Sequence, residues 1–165
     1  MNRESSRRAP LEWLSTVGGL GYIGKAPGTF GSLPGLVVGW LILNQANHFI
    51  PYESSFILVC LLLLSFVGFH AIKAFEGFHG NHDDQRIVID EVVGQAFAVC
   101  MIGNNLKQLA IAFVLFRLFD ITKPGPIGWA DKRLKGSWGT LLDDILAGII
   151  AGGVYVAAKR FGFPF

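Results

Sequence analysis

Charge is what this chain has least of. Only 16% of its 165 residues are Asp, Glu, Lys or Arg, against roughly 25% in an ordinary soluble domain. So little charge beside 52% hydrophobic residues excludes an intrinsically disordered chain. A net charge of +2 offers no basic surface to a polyanion, so no nucleic acid partner is expected. Cysteine is equally scarce. Cys60 and Cys100 both stand inside apolar runs, too few for a disulfide framework or a zinc cluster, and read as small buried hydrophobes. No cleavable signal pattern is found in MNRESSRRAPLEW, which is basic and polar with no apolar core before Leu11. Internal repeats and low-complexity linkers are missing too. The length suits one domain, with residues 1–10 expected as a flexible N-terminal segment.

What the chain does have is long uncharged runs, and a run must approach about 20 residues before its helix can cross a hydrocarbon core. Ala26–Tyr52 supplies 27 such residues and Ser54–Ile72 supplies 19. In the first, Pro27, Gly28, Gly31 and Pro34 predict a helix starting near Ser32 or Leu33, with Pro34 in its first turn and Pro51 as its stop. The second contains FILVCLLLLSFVGF, Phe56–Phe69, which is apolar on every face, unlike a surface helix of a soluble protein. Val92–Leu106, Gln108–Phe116 and Ile145–Ala158 hold 15, 9 and 14 uncharged residues, lengths that suit buried or re-entrant helices as well as spans. Asn104–Asn105 reads as the turn of a helical hairpin. The spacings Gly31–Gly35, Gly35–Gly39 and Gly148–Gly152 predict close helix packing. Trp13, Trp40, Trp129 and Trp138 fit an interfacial belt.

If the chain crosses once in each run, segments 1–31, 73–91 and 117–144 fall on one side. They carry eleven of the fourteen Lys and Arg residues, which makes that side cytoplasmic by the positive-inside rule. They also carry every acid except Glu53. Acids contribute little to orientation, so their one-sidedness points to function. Eight occupy two short segments: Asp83, Asp84, Asp90 and Glu91, then Asp120, Asp131, Asp143 and Asp144. Grouped carboxylates repel one another unless protons or cations intervene, and hard oxygen donors select a hard cation, Mg²⁺ before Zn²⁺. Acids in a first turn also complement the helix dipole, but capping does not call for two adjacent pairs. The segment GKAPGTFGSLPG, Gly24–Gly35, places Lys25, Thr29, Ser32 and several glycines before a helix. That composition suits phosphate, although the GK[ST] ending of a Walker A loop is missing. Arg117, Lys123 and Lys132–Arg133 are further phosphate candidates, and Lys132, Arg133 and Lys135 also suit anionic lipid headgroups.

Three ordered blocks, APGTFGSLPG, DDQRIVIDEVVG, and FRLFDITKPGPIGWADKRLKG followed by LLDDILAG, resemble the phosphatidylglycerophosphatase A family over roughly Trp13 to Tyr155. The resemblance implies an all-α fold, here a compact bundle of about five to six helices. The bundle is expected to be membrane-embedded or membrane-associated, with its motif loops on the cytoplasmic face. The resemblance also implies a Mg²⁺-dependent phosphatase of the bacterial inner membrane that converts phosphatidylglycerol phosphate to phosphatidylglycerol and inorganic phosphate. Carried onto this chain, Asp83, Asp90, Glu91, Asp143 and Asp144 would hold one or two Mg²⁺ ions. Asp83, Asp90, Asp120, Lys123 and Asp144 form the expected catalytic set. Lys123 would neutralise the phosphate, and Asp120 would be a ligand or the base that activates water. Lys25, Thr29, Ser32, Arg117 and Lys123 form the expected phosphate-binding set. Asp84 and the stretch Ser137–Thr140 depart from the family pattern.

Attack by water acidified by Mg²⁺ and attack by an aspartate through an aspartyl-phosphate both remain open; water attack is preferred because no single Asp stands apart from the cluster. Two rival classes are a small transporter or channel with Asp90, Glu91 and Asp143 as coupling carboxylates inside the membrane, and a soluble helical phosphatase acting on a small phosphate ester. The first predicts acids midway along spans, whereas these lie at the ends of apolar runs. The oligomeric state is left open.

Overall fold

The structure, a computed structural model, describes residues 10–80 and 84–163. The expected flexible segment, apart from Pro10, lies outside them. The described residues form helices, turns and loops, with no strand among them. The main elements are α1 (Pro27–Ala46), α2 (Glu53–His79), α3 (Ile89–Ile102), α4 (Leu106–Thr122), α5 (Pro126–Arg133) and α6 (Ser137–Arg160). A helical turn over residues 10–15 and 3₁₀ turns at Leu20–Tyr22 and Asn47–Phe49 complete them. This is the all-α bundle expected.

α3 is its axis. Its 14 residues span about 21 Å at 1.5 Å per residue, short of a hydrocarbon core of about 30 Å, and most of them are buried. Of the alternatives its run allowed, it is the buried helix. Small residues on its neighbours make that enclosure possible. Along α1, Gly31, Gly35 and Gly39 face Val88, then Val92 and Gln95, then Ala96 and Val99. A Cβ on Gly35 would stand 2.6 Å from that of Gln95. On the other side, a Cβ on Gly148 would overlap the Gly94 carbonyl, and Gly152 meets Met101.

The order of these contacts makes α1, α3 and α6 parallel, with α2 and α4 running back between them. At the far end Asn104 Nδ2 donates to Asn44 Oδ1 at 3.2 Å. The Asn104–Asn105 turn forms as expected. Asn105 Oδ1 accepts from the Gln108 backbone at 2.8 Å, and Gln108 Oε1 accepts from the Asn105 backbone at 3.3 Å, a capping box that fixes the start of α4.

Three expectations change. α1 begins at Pro27 rather than near Ser32, and Pro34 lies inside the helix. Pro27 fits a first turn because its missing N–H has no helical partner there. The helix must already be formed at Gly28 and Gly31, whose bare backbone admits Glu91 and Val88. α1 also stops at Ala46, before Pro51. Cys60 and Cys100 are free thiols and only half-buried.

Apolar side chains cover much of the outside. Leu58, Leu62, Leu63 and Phe66 on α2, Val37, Trp40 and Leu41 on α1, and Val114 and Leu118 on α4 are all exposed. So are the four tryptophans. Two helices, α2 and α6, are long and apolar enough to cross a membrane. Exposed apolar surface on this scale marks a face that meets lipid or a partner.

The glycine contacts are testable. Gly148→Ala should lower the melting temperature in detergent, by the equivalent of about 1–3 kcal/mol for overpacking. Gly153, which has open space around it, should tolerate Ala with an unchanged or raised melting temperature.

Candidate active site

Three parallel helices begin at the end of the bundle that carries the acids. α3 places Asp90 and Glu91 in its first turn, and α6 places Asp143 and Asp144 two turns from its start. α1 arrives through Pro27 and Gly28, where a Cβ would overlap Glu91 Oε1 and lie 3.0 Å from Arg117 Nη1. A Cβ on Gly94 would meet the Asp144 carbonyl oxygen at 2.5 Å. Backbone contacts thus set the register of the acids. The partial positive charge at the three N-termini favours carboxylates and any anion bound beside them.

Four of the acids have basic partners. Arg86 forks Asp84, Nε to Oδ1 at 2.8 Å and Nη2 to Oδ2 at 2.7 Å. Arg117 Nη1 donates to Asp120 at 2.6 Å. Lys123 caps α4 with a left-handed φ of 43°, and its Nζ donates both to Asp143 Oδ2 at 2.7 Å and to Asp131. That leaves Asp90, Glu91 and Asp144 with no basic partner among the described residues. These are the three residues whose carboxylate oxygens lie within 4.8 Å of one another. Asp90 and Asp144 are 7% and 4% exposed, and Asp90 Oδ1, Glu91 Oε2 and Asp143 Oδ1 are buried without a hydrogen-bond partner. A buried charge needs a counter-charge. Convergent, uncompensated oxygen donors fit a hard divalent cation.

The titration behaviour follows from that geometry. Burial, reinforced by the charge of Asp143, pushes Asp90 up to about 6. Burial and then the charge of Asp90 push Glu91 well above the usual carboxylate range. Asp84, by contrast, is held down at about 2 by the hydrogen bonds from Arg86. For Lys123, burial opposes the charge, but the bonds to Asp131 and Asp143 more than offset it and raise its pKa.

A cavity of about 170 Å³ opens onto the group. Its walls include Asp84, Asp90, Glu91, Asp120, Lys123, Asp143 and Asp144. The structure therefore brings together most of the expected catalytic and metal residues; Asp83 lies outside the described residues. The expected phosphate set is more dispersed. Arg117 reaches the wall through Asp120. Lys25 is exposed in the loop before α1, and Thr29 is half-buried in the first turn of α1. Ser32 is fully buried and spends its hydroxyl on the Gly28 carbonyl at 2.8 Å. The early start of α1 carries it down into the bundle, and Pro27 lines the cavity instead. Two residues had no assigned role: Asp131, which shares Lys123, and Thr140, which lines the cavity. Thr140 was within reach of helical spacing, since it precedes Asp143 by three residues.

Asp90 and Glu91 hold protons more tightly in the folded chain than in the unfolded one. Between about pH 4 and about pH 6 the unfolded chain therefore binds fewer protons, and stability falls as pH rises. Cation-free protein should melt at a lower temperature at about pH 7.5 than at about pH 5.5. Asp90→Asn should flatten that difference, and adding Mg²⁺ at the higher pH should raise the melting temperature; thermal melts in detergent read all three.

Comparison with known proteins agrees with the sequence blocks. The family described as Phosphatidylglycerophosphatase A matches residues 13–159. A Haemophilus influenzae protein named Phosphatidylglycerophosphatase A is 36% identical over 143 residues, covering 86% of this chain and 84% of its own. An Escherichia coli protein of the same name is 32% identical over 146 residues, covering 88% and 81%. A Bacteroides thetaiotaomicron protein provisionally named a phosphatidylinositol-3-phosphatase is 32% identical over 136 residues, covering 79% and 82%. No solved structure matches. With the family matched across nearly the whole chain, and with its acidic blocks folded into one cavity, this chain belongs to the phosphatidylglycerophosphatase A family.

Proposed function

We propose that this chain is a Mg²⁺-dependent phosphatase that hydrolyses phosphatidylglycerol phosphate to phosphatidylglycerol and inorganic phosphate at the cytoplasmic face of a bacterial inner membrane. The observation that carries the reading is the charge distribution at the cavity: three converging carboxylates with no basic partner among the described residues, beside a lysine and an arginine already held by other acids. The names of the relatives supply the substrate. The apolar exterior of α2 and the gathering of Lys and Arg in the segments at the acid end support the membrane address and orientation. Carboxylates collected at helix ends favour interfacial chemistry over a transport path midway along a span.

Asp90, Glu91 and Asp144 would hold the divalent cation, which when bound neutralises phosphoryl charge and acidifies water. Lys123 adds a fixed positive charge, since Asp131 and Asp143 hold its ammonium in place, where charge develops on the phosphate. Asp120 is oriented by Arg117 on the cavity wall and accepts the proton of the attacking water. The new bond joins the water oxygen to phosphorus, the bond from phosphorus to the glycerol oxygen breaks, and that oxygen takes a proton from solvent, to which Asp120 returns the one it accepted. Asp83, in this chain's DDQRIVIDEVVG block, is assigned to the same acid set. Lys25, in the loop before α1, and Thr29, in its first turn, would meet the incoming headgroup.

Phosphate release from phosphatidylglycerol phosphate in detergent micelles tests the reading. Chelation should abolish release and Mg²⁺ should restore it. Asp90→Asn should lose more than the roughly 10–100-fold that follows removal of an outer partner of a metal ligand, and Asp143→Asn, which frees Lys123, should lose about that much. Lys123→Met should lower kcat by roughly 10²–10³, as for other charge-stabilising donors. Metal-independent release, or full activity in both Asn variants, would overturn the proposal.

A further inference from the structure

Four hollows adjoin in series around the start of α6. The acid cavity shares Thr140 and Asp143 with a second of about 210 Å³, which also contains Asp131, Lys135 and Gly136. Gly136 borders a third, of about 390 Å³, between Lys73 and Glu76 of α2 and Ser137 and Trp138 of α6. Phe69 and Trp138 border both the third and a fourth, of about 360 Å³. That fourth hollow is a groove between α2 and α6 walled by Leu62, Phe66, Leu141 and Ile145. Its one hydroxyl, on Ser65, donates to the Leu61 carbonyl of its own helix at 2.8 Å.

We propose that this groove seats one acyl chain of the phospholipid substrate, and that the cleft past Gly136 carries the headgroup from there to the acids. The inference rests on the lipid phosphatase reading above and adds where the lipid lies. The polarity along the series runs in the order of the lipid's own parts. The carboxylate cavity would take the terminal phosphate. Lys135 and Lys73, in the next two hollows, face the phosphodiester and glycerol region. The change to hydrocarbon comes at the Phe69–Trp138 pair, whose ring centroids are 4.4 Å apart, with Lys73 Nζ 6.0 Å from the Phe69 ring.

Geometry along the bundle agrees. Phe69 to Leu62 and Trp138 to Ile145 both descend seven residues, about 10 Å, from the rim of the bundle at Gly136, and on α6 that descent passes the level of Asp143 and Asp144. Ser137 Oγ donates to Glu76 Oε2 at 2.7 Å and ties α2 to α6 at the head of the groove. Leu62 and Phe66 are 58% and 62% exposed, so the groove opens sideways, where a lipid can enter from its own leaflet. An apolar hollow of similar size between α4 and α6, lined by Lys107, Val114 and Tyr155, lies at the opposite end of the bundle and shares no wall residue with the series. Apolarity alone therefore does not single out a substrate site; continuity with the acids does.

The test compares two substrates, long-chain phosphatidylglycerol phosphate and its water-soluble deacylated headgroup, in wild type, Leu62→Trp and Ser65→Phe. Both variants fill the groove and leave the acid cavity untouched. Their kcat/KM on the long-chain lipid should fall roughly 10-fold or more, the scale of a misfit in an apolar pocket, with hydrolysis of the deacylated headgroup unchanged. Equal losses on both substrates, or no loss on either, would overturn the groove assignment. A second arm labels the wild-type protein in vesicles of phosphatidylglycerol with a photoactivatable acyl chain. Labels should concentrate on residues 62–69 and 138–145; an even spread over the exposed faces of α1, α2, α4 and the rest of α6 means surrounding lipid only and overturns the groove even if the phosphatase reading stands. Failure of wild-type protein to release phosphate from either substrate counts against the phosphatase reading, and the photolabel then decides the groove separately.

Discussion

The acid end of this protein depends on how closely two helix backbones can approach α3. Gly31, Gly35 and Gly39 let α1 lie against one side of it, and Gly94 with Gly148 lets α6 lie against the other. Any side chain at those positions would hold the helices apart and separate the donors they carry. Asp90 and Glu91 enter on α3, Asp143 and Asp144 on α6, and Pro27 on α1. Packing of small residues, the ordinary means by which helices associate in lipid, here also sets the spacing of a catalytic group.

That arrangement has an electrostatic logic. Among the described residues, seven carboxylates crowd the region and three basic side chains answer four of them. Complete pairing would give a stable but inert ion network. The deficit leaves Asp90, Glu91 and Asp144 seeking a counter-charge in a buried setting, and the parallel N-termini of α1, α3 and α6 lessen the repulsion without removing it. The inverted polarity of the whole, with carboxylates inside one end and leucine, valine and phenylalanine outside, suits a scaffold solvated by hydrocarbon with its chemistry at one face.

Much of this was legible in the sequence because acids are rare in it. With so few charges, adjacent pairs such as Asp90–Glu91 and Asp143–Asp144 stood out, and the positions of the uncharged runs placed them at one end of the bundle. Lys123 and Asp120 were legible through the motif that contains them. Ser32 was not, because its place depended on where α1 begins. Two prolines and a run of glycines suggested a loop there, whereas tertiary contact of Gly28 and Gly31 with α3 holds the same residues in a helix. Asp131 was seen only as one acid among eight, since its share in Lys123 arises from the turn between α4 and α5 and leaves no periodic trace. The burial of α3 was equally hidden: a 15-residue run looks the same whether it faces lipid or four other helices.

The contact between Gly94 and Gly148 has a mechanical consequence. Were α6 to rock about this contact as a fulcrum, its arms would be unequal: the contact lies about 6 Å along the helix from Asp144 but about 15 Å from Ala158. A rocking motion of α6 about that fulcrum moves the far end more than twice as far as it moves the donor. The arm is short on the side of the carboxylates and long on the other, so a displacement at the distant end of α6 reaches them reduced.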